Sequence, residues 1–215
     1  VAAGRTDFIS SGNFWPVPGN HDHMSPTTNY LAYFNYIPPD GTSEGASELY
    51  YDFVHGPVHF FMLNSGQNDN QPMPDEALQK SFLQNGLAGS TSPWKIVVFH
   101  RPPYTSGTYH SSDINLQWPF EEWGADIVIT GHNHIYERIF KGEGELRYIT
   151  AGASGSDTRT GSSSFDGLEA YYFGSESGAM KVKATDASIT FQYITLNSAG
   201  TLETIRDTYI MELST

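Results

Sequence analysis

Four short segments carry residues whose side chains suit metal chemistry. They are Gly19-Asn20-His21-Asp22, His100, His110 and Gly131-His132-Asn133-His134. Imidazole nitrogens and amide oxygens are ligands that suit zinc, iron or manganese. Because the chain contains no cysteine, disulfides and thiolate metal sites are excluded, and every ligand must supply nitrogen or oxygen. The residue types therefore predict a metal site with a catalytic histidine beside it.

Apolar runs come directly before three of these segments, at residues 15–18, 96–99 and 127–130. Such runs are typical of strands buried on both faces, and α/β proteins place ligands where those strands end. We therefore expect Asn20, His100 and His132 to meet as three ligands of one cation. His134 is expected to reach a second cation, with Gly131 allowing the backbone bend between the two histidines.

The remaining pattern predicts the elements that position these segments. It indicates a strand over residues 13–18, a hairpin around His55-Gly56-Pro57, a helix over residues 75–87, a short helix over residues 116–123, and a C-terminal antiparallel meander of strands at 179–184, 188–196 and 208–213. In the first helix Leu78, Phe82 and Leu83 are expected to share the buried face. The order of elements favours an α/β fold.

Length and charge limit the function classes. A chain of 215 residues is expected to form a single domain over residues 1–215 around one core. The formal net charge of −13 argues against nucleic acid and anionic membrane surfaces as partners. No apolar run is long enough for a transmembrane helix. A small phosphate ester is compatible with this charge if a bound cation provides the local positive field.

The combined segments resemble the calcineurin-like metallophosphoesterases, and more narrowly their purple acid phosphatase branch. Gly19-Asn20-His21-Asp22 matches the Gly-Asn-His-Asp/Glu block of that family, His100 its lone ligand histidine, and Gly131-His132-Asn133-His134 its Gly-His-x-His block. The extension Ile135-Tyr136-Glu137-Arg138 is typical of the purple acid phosphatase branch. His110 resembles the substrate-binding histidine of that branch.

This resemblance implies an α-β-β-α sandwich of two mixed sheets and two metal ions, which would be iron, zinc, manganese or similar. Asn20, His100 and His132 would bind one cation, and His134 the other. His21 and His110 would bind substrate and take part in catalysis, with Asp22 orienting His21. The implied reaction is hydrolysis of phosphate monoesters by a metal-bound hydroxide at the dinuclear site. Phosphodiester or nucleotide hydrolysis, and a noncatalytic single-metal or phosphate-binding module, remain as alternatives.

Two motifs of the family do not occur in this sequence. They are Asp-x-His and Gly-Asp-x-x-Asp/Tyr, which normally come before the Gly-Asn-His block and supply the bridging carboxylate and the first β-α-β segment. We therefore expect the domain to be N-terminally incomplete, with a second polypeptide carrying the N-terminal part of the same domain. A truncated chain and a natural half-site protein are the two alternatives. The richness in Gly, Ser, Thr and Tyr suggests an extracellular or periplasmic location.

Overall fold

The computed structural model describes residues 14–24, 27–34, 48–142, 144–155, 157–197, 199–201 and 203–213. Within these ranges two β-sheets pack on one another and a long helix covers the outer face of the larger sheet. The predicted α/β class and the pair of sheets are therefore confirmed. In the same ranges no helix has both the length and the apolar character that crossing a bilayer requires.

The larger sheet is mixed and has seven strands in the described ranges. They are β1 (Tyr51–His55), β2 (Val58–Met62), β3 (Trp94–Val98), β4 (Ile127–Thr130), β5 (Tyr136–Phe140), β6 (Arg147–Ala151) and β7 (Leu168–Tyr172), in the spatial order β1-β2-β3-β4-β6-β5-β7. The four central strands β2, β3, β4 and β6 run parallel, so their carboxyl ends meet at one edge. β1 and β2 form the predicted hairpin.

The second sheet is wholly antiparallel. It contains β8 (Gly178–Ala184), β9 (Ser188–Leu196) and β10 (Glu203–Glu212), with β9 in the centre. Each of these strands follows its predecessor through a turn, as the period-2 pattern and the turn residues predict. The C-terminal meander is therefore confirmed.

Consecutive residues of the central strands are buried on opposite faces of the larger sheet. Ile96 contributes to the core against the second sheet, where Phe191 lies, whereas Val97 contributes to the core on the helical side, where Phe82 lies. Neither Ile96 nor Val97 has measurable exposure. A strand with both faces covered needs apolar residues at successive positions, which explains the unbroken apolar runs.

The described helices are α1 (Asn20–Met24), α2 (Thr28–Tyr33) and α3 (Glu76–Gly89). The third confirms the helix predicted over residues 75–87, but its buried face differs from the prediction. Leu78 is 61% exposed, whereas Gln79 is fully buried. The Gln79 amide donates to the Asn64 carbonyl and accepts from the Asn64 N–H, each at 2.9 Å. A polar side chain therefore takes a buried position because it satisfies a buried loop backbone.

Two predicted elements are wrong. Residues 14–19 form no strand, since Pro16 and Pro18 lack the N–H that a sheet ladder needs. Asn20 consequently begins helix α1 instead of ending a strand. Residues 116–123 form no α-helix either. A 3₁₀ turn covers Ile114–Leu116 and irregular turns follow, although Phe120 is buried as expected.

Asp207 on β10 joins the two sheets. It accepts hydrogen bonds from the Tyr136 hydroxyl at 2.7 Å and from Nε of Arg138 at 3.0 Å, both on β5. Burial raises the pKa of Asp207, but the bonds from Arg138 and Tyr136 outweigh it, so the pKa lies below its ordinary value. The Tyr-Glu-Arg extension therefore has two members that anchor β5 to the second sheet.

The depressed pKa of Asp207 predicts a pH-dependent stability difference. The unfolded carboxyl titrates near its ordinary pKa of about 3.9, so the stabilisation by the carboxylate is fully present above that pH and is lost as the pH falls through the lower folded pKa. We expect the difference in unfolding free energy between wild type and Asp207→Asn to shrink below about pH 4. Urea denaturation over a pH series measures it. A difference that stays constant across this range would contradict the prediction.

Candidate metal centre

The carboxyl ends of the parallel strands bring the predicted ligands together. His100 lies two residues after β3, His132 lies two residues after β4, and Asn20 reaches the same edge from helix α1. Nε2 of His100 lies 2.8 Å from Oδ1 of Asn20 and 3.0 Å from Nδ1 of His132. The structure thus places an amide oxygen and two imidazole nitrogens around a common point, although Asn20 arrives by a different route from the predicted one.

The chemistry of these three atoms fits a cation. A proton on Nε2 of His100 can fully satisfy Asn20 or His132 but not both, so one lone pair is left poorly matched. A cation accepts lone pairs from all three atoms, and this donor set suits zinc, iron or manganese. Burial, followed by the nearby charges of His132 and His21, lowers the pKa of His100 to about 3. The His100 imidazole is therefore neutral at neutral pH, which is the form that binds metals.

Asp69, which sequence reasoning missed, connects two of the predicted histidines. Its Oδ1 accepts from Nε2 of His132 and its Oδ2 from Nδ1 of His110, both at 2.8 Å. Burial raises the pKa of Asp69, but the hydrogen bond from His110 and the charges of both histidines outweigh it and lower the pKa. Asp69, His110 and His132 are also close enough to one another to share a cation. β2 runs parallel to β3, so the loop after β2, which contains Asp69, lies at the ligand edge. That position is the signal that could have pointed to Asp69.

His132 has an unusual backbone conformation. Its φ of +65° lies in the left-handed region, which residues other than glycine seldom adopt, whereas Gly131 is not among the described residues with positive φ. The backbone bend predicted at Gly131 therefore occurs at His132 itself. Strained backbone of this kind concentrates at functional sites, where the surrounding structure maintains it.

The loop that carries His110 is fixed by two buried side chains. Asn133 accepts from the His110 N–H at 3.2 Å and donates to the His110 carbonyl at 3.0 Å. Glu137 accepts from the Ser106 N–H at 2.8 Å and from the Ser106 hydroxyl. Burial raises the pKa of Glu137 despite these bonds. Both the Gly-His-x-His block and the extension after it thus hold the segment on which His110 lies.

The loop that carries Asp69 is fixed by a buried ion pair. Arg101 donates to Oδ2 of Asp113 at 2.6 Å, and both side chains are almost completely buried. The same guanidinium donates to three backbone carbonyls near Asp69. Ser65 and Asn68 come before Asp69 in the chain, and Gln71 comes after it. Oδ2 of Asp113 also accepts from the Asn70 N–H at 2.9 Å. Asp69 therefore lies in a loop whose backbone is bonded at four residues.

The other predicted site residues make no described hydrogen bond to the side chains of Asn20, His100 or His132. His21 is exposed on α1. Asp22 accepts from the Gly19 N–H at 2.8 Å, and no hydrogen bond between the side chains of Asp22 and His21 is found in the described ranges. Nδ1 of His134 donates to the Asp157 carbonyl at 2.8 Å. Among the residues that the structure describes, His134 belongs to no group of three His, Asp or Glu side chains close enough to share a cation.

A substitution beside this centre tests how tightly its backbone is packed. A Cβ on Gly152 would lie 2.0 Å from the carbonyl oxygen of Asn133, between the two histidines of the Gly-His-x-His block. We expect Gly152→Ala to lower the free energy of unfolding by about 1–3 kcal/mol because the backbone must shift. Gly155→Ala is the matched control, since no atom of the described residues lies within 4 Å of its added Cβ. Equal stability of the two variants in urea denaturation would contradict the prediction.

Comparison with known proteins identifies the family. The family model for calcineurin-like phosphoesterases matches residues 4–136. The chain belongs to the calcineurin-like phosphoesterase family. Purple acid phosphatase 23 of Arabidopsis thaliana is 30% identical over 135 residues, and purple acid phosphatase 15 of the same plant is 33% identical over 133 residues. These relatives confirm the resemblance to the purple acid phosphatase branch.

A solved structure supports the fold of this calcineurin-like phosphoesterase. The yellow lupin purple acid phosphatase PPD1 superposes on 79% of the chain and 34% of its own length, with a TM-score of 0.63 and 15% identity. At that identity the likeness concerns the fold alone. The two Arabidopsis matches each cover 57% of this chain, and 28% and 24% of those proteins. The chain thus spans about a quarter of the length of these relatives.

Proposed function

We propose that this chain forms the catalytic region of a metal-dependent phosphatase that hydrolyses phosphate monoesters. The observation that supports this proposal most directly is the convergence of Asn20, His100 and His132, at 2.8 and 3.0 Å, on the ligand edge of the larger sheet. Relatives named purple acid phosphatase and, from Allium cepa, phosphoenolpyruvate phosphatase add weight to a phosphate ester as substrate.

In this proposal Asn20, His100 and His132 would hold a divalent cation, which would supply Lewis-acid stabilisation of the phosphate oxygens and activation of water. A local positive charge is needed because the chain has a net charge of −13, which repels phosphate esters. His110 lies against His132, with ring centroids 3.7 Å apart, and is half-buried. That position suits a side chain that contacts the phosphate or protonates the leaving oxygen. His21 is also proposed to contact the phosphate or to protonate the leaving oxygen, and Asp22 accepts from the Gly19 N–H just before its helix.

A second cation completes the proposed centre. His134 is its proposed ligand, and one imidazole does not hold a metal firmly without further oxygen ligands. We propose that a segment with the Asp-x-His and Gly-Asp-x-x-Asp/Tyr motifs supplies those ligands. The metals are proposed to be iron, zinc or manganese, and the location extracellular or periplasmic.

One observation favours a second candidate function. Within the described residues, the predicted ligands form a single three-ligand cluster, at Asn20, His100 and His132. That arrangement equally suits a noncatalytic module that binds one cation or a phosphate. Phosphodiester hydrolysis uses the same ligands and differs from monoester hydrolysis in the shape of the substrate cleft.

The test combines turnover with metal content. We expect the purified protein to hydrolyse an aryl phosphate monoester, to lose that activity with a chelator, and to regain it when zinc or manganese is restored. Elemental analysis gives the number of metals per chain. Zero turnover with one bound metal would favour the binding module, and faster hydrolysis of an aryl phosphodiester would favour the phosphodiesterase.

A further inference from the structure

The two ring nitrogens of His132 face different partners. Nδ1 lies 3.0 Å from Nε2 of His100, on the side of the proposed cation. Nε2 lies 2.8 Å from Oδ1 of Asp69, on the opposite side of the ring. A carboxylate only accepts hydrogen bonds, so this contact requires the proton on Nε2. In a neutral imidazole Nδ1 then carries the free lone pair, which points to Nε2 of His100.

We infer that Asp69 is a positioning residue that fixes the tautomer and ring orientation of His132, so that Nδ1 is presented to the cation, and that ties His110 to the same carboxylate. Metal-binding histidines commonly donate their other N–H to a carboxylate, which makes the ligand more basic and holds the ring. This inference rests on the proposed function, because it assumes a cation at Asn20, His100 and His132. It extends that function to a residue outside the family motifs.

The position of Asp69 is maintained by buried structure. The Arg101 guanidinium bonds to carbonyl oxygens before and after Asp69 in the chain, including that of Gln71 at 2.9 Å. Asp113 holds the Asn70 N–H at 2.9 Å from the other side. The side chain of Asp69 is 36% exposed, so packing against it does little to fix its direction. The bonded backbone and the two histidines fix that direction instead. A loop held in this way presents its side chain in one place.

The second oxygen of Asp69 links the proposed cation ligand to the proposed substrate residue. Oδ2 accepts from Nδ1 of His110 at 2.8 Å, and the His110 ring lies against the His132 ring. The arrangement therefore leaves Nε2 of His110 as the nitrogen that does not bond to Asp69. One carboxylate thus orients both rings at once.

An alternative places the cation on the other side of His132, held directly by Asp69, His110 and Nε2 of His132. The two arrangements predict different sensitivities. A cation at Asn20, His100 and His132 depends on His100 and not on His110, whereas a cation beside Asp69 depends on His110 and not on His100. The Zn²⁺ affinities of the His100→Ala and His110→Ala variants separate the two arrangements.

The first measurement is the position of the proton on His132 in metal-free wild type, by long-range ¹H–¹⁵N NMR at a pH well above the ordinary imidazole pKa. We expect the proton on Nε2.

The second measurement is Zn²⁺ affinity by isothermal titration calorimetry. Asp69→Ala is expected to weaken Zn²⁺ binding about 10- to 100-fold. His100→Ala and His132→Ala are expected to weaken it further, and His110→Ala only slightly. The control Asp166→Ala removes a highly exposed carboxylate that pairs with Lys141, and it should change nothing.

Several results would overturn the inference. They are a His132 proton on Nδ1, an Asp69→Ala affinity equal to that of wild type, or a loss in His110→Ala as large as that in His132→Ala. If Asp69→Ala does not fold, the NMR measurement on wild type still decides. Wild type that binds no Zn²⁺ would instead overturn the proposed function, and the proton on His132 would still test the role of Asp69.

Discussion

Replacing His100 by alanine is expected to abolish phosphatase activity, with a loss of about a thousandfold or more, since the Lewis-acid contribution is worth several kcal/mol. His100 is the shared partner of Asn20 and His132, at 2.8 and 3.0 Å, so its removal separates the remaining two ligands. Kinetics with an aryl phosphate monoester and elemental analysis of the purified variant measure the two effects. Loss of bound metal should accompany the loss of turnover.

The matched control is His55→Ala. His55 ends β1 and is exposed at the turn of the first hairpin, so the same substitution there should leave metal content and turnover unchanged. His100→Ala should remain folded, because the substitution removes ligand atoms from the edge of the sheet. Undiminished turnover in a folded His100→Ala protein would show that the cation site has been assigned to the wrong residues.

Replacing Arg101 by alanine is expected to lower the free energy of unfolding by about 3–5 kcal/mol, the usual result of leaving one partner of a buried ion pair alone. Arg101 is 1% exposed, and its removal leaves the buried Asp113 carboxylate without its charge partner at 2.6 Å. The carbonyls of Ser65, Asn68 and Gln71 lose a donor as well. Urea denaturation followed by circular dichroism measures the effect.

Lys80→Ala provides the comparison for this substitution. Lys80 pairs with Glu76 at 2.5 Å on the surface of α3, where both side chains are about a third exposed. Surface pairs of this kind contribute less than about 1 kcal/mol. A similar, small destabilisation in both variants would mean that the Arg101 ion pair does not hold the loop that carries Asp69.

Much of the candidate site could be predicted because its residues lie in short segments with a family pattern. His100 and His132 follow strands whose unbroken apolar runs identify them, so their meeting at one edge follows from the parallel sheet. The arrival of Asn20 was harder to predict, because the apolar segment before it resembles a strand that its two prolines prevent. Its ligand atom nevertheless reaches the predicted place.

Other parts of the site could not be predicted, for physical reasons that local pattern does not contain. Asp69 lies among polar residues in a loop, and only the pairing of β2 with β3 brings that loop to the ligand edge. Gln79 is buried because a distant backbone needs its amide, whereas the apolar Leu78 next to it is exposed. The Arg101–Asp113 pair similarly depends on tertiary packing. Long-range hydrogen bonds decide each of these cases.

The separation of the proposed ligands along the chain has a consequence for folding. Asn20 lies 80 residues from His100, and His100 lies 32 residues from His132. Contacts of such long range form late, since loop closure and the parallel strand pairs must come first. A partly folded chain therefore has no complete set of ligands, and a cation that binds only the native state adds about 2.7 kcal/mol of stability at 100 times its dissociation constant. Cation binding would then report that the parallel sheet has finished assembling.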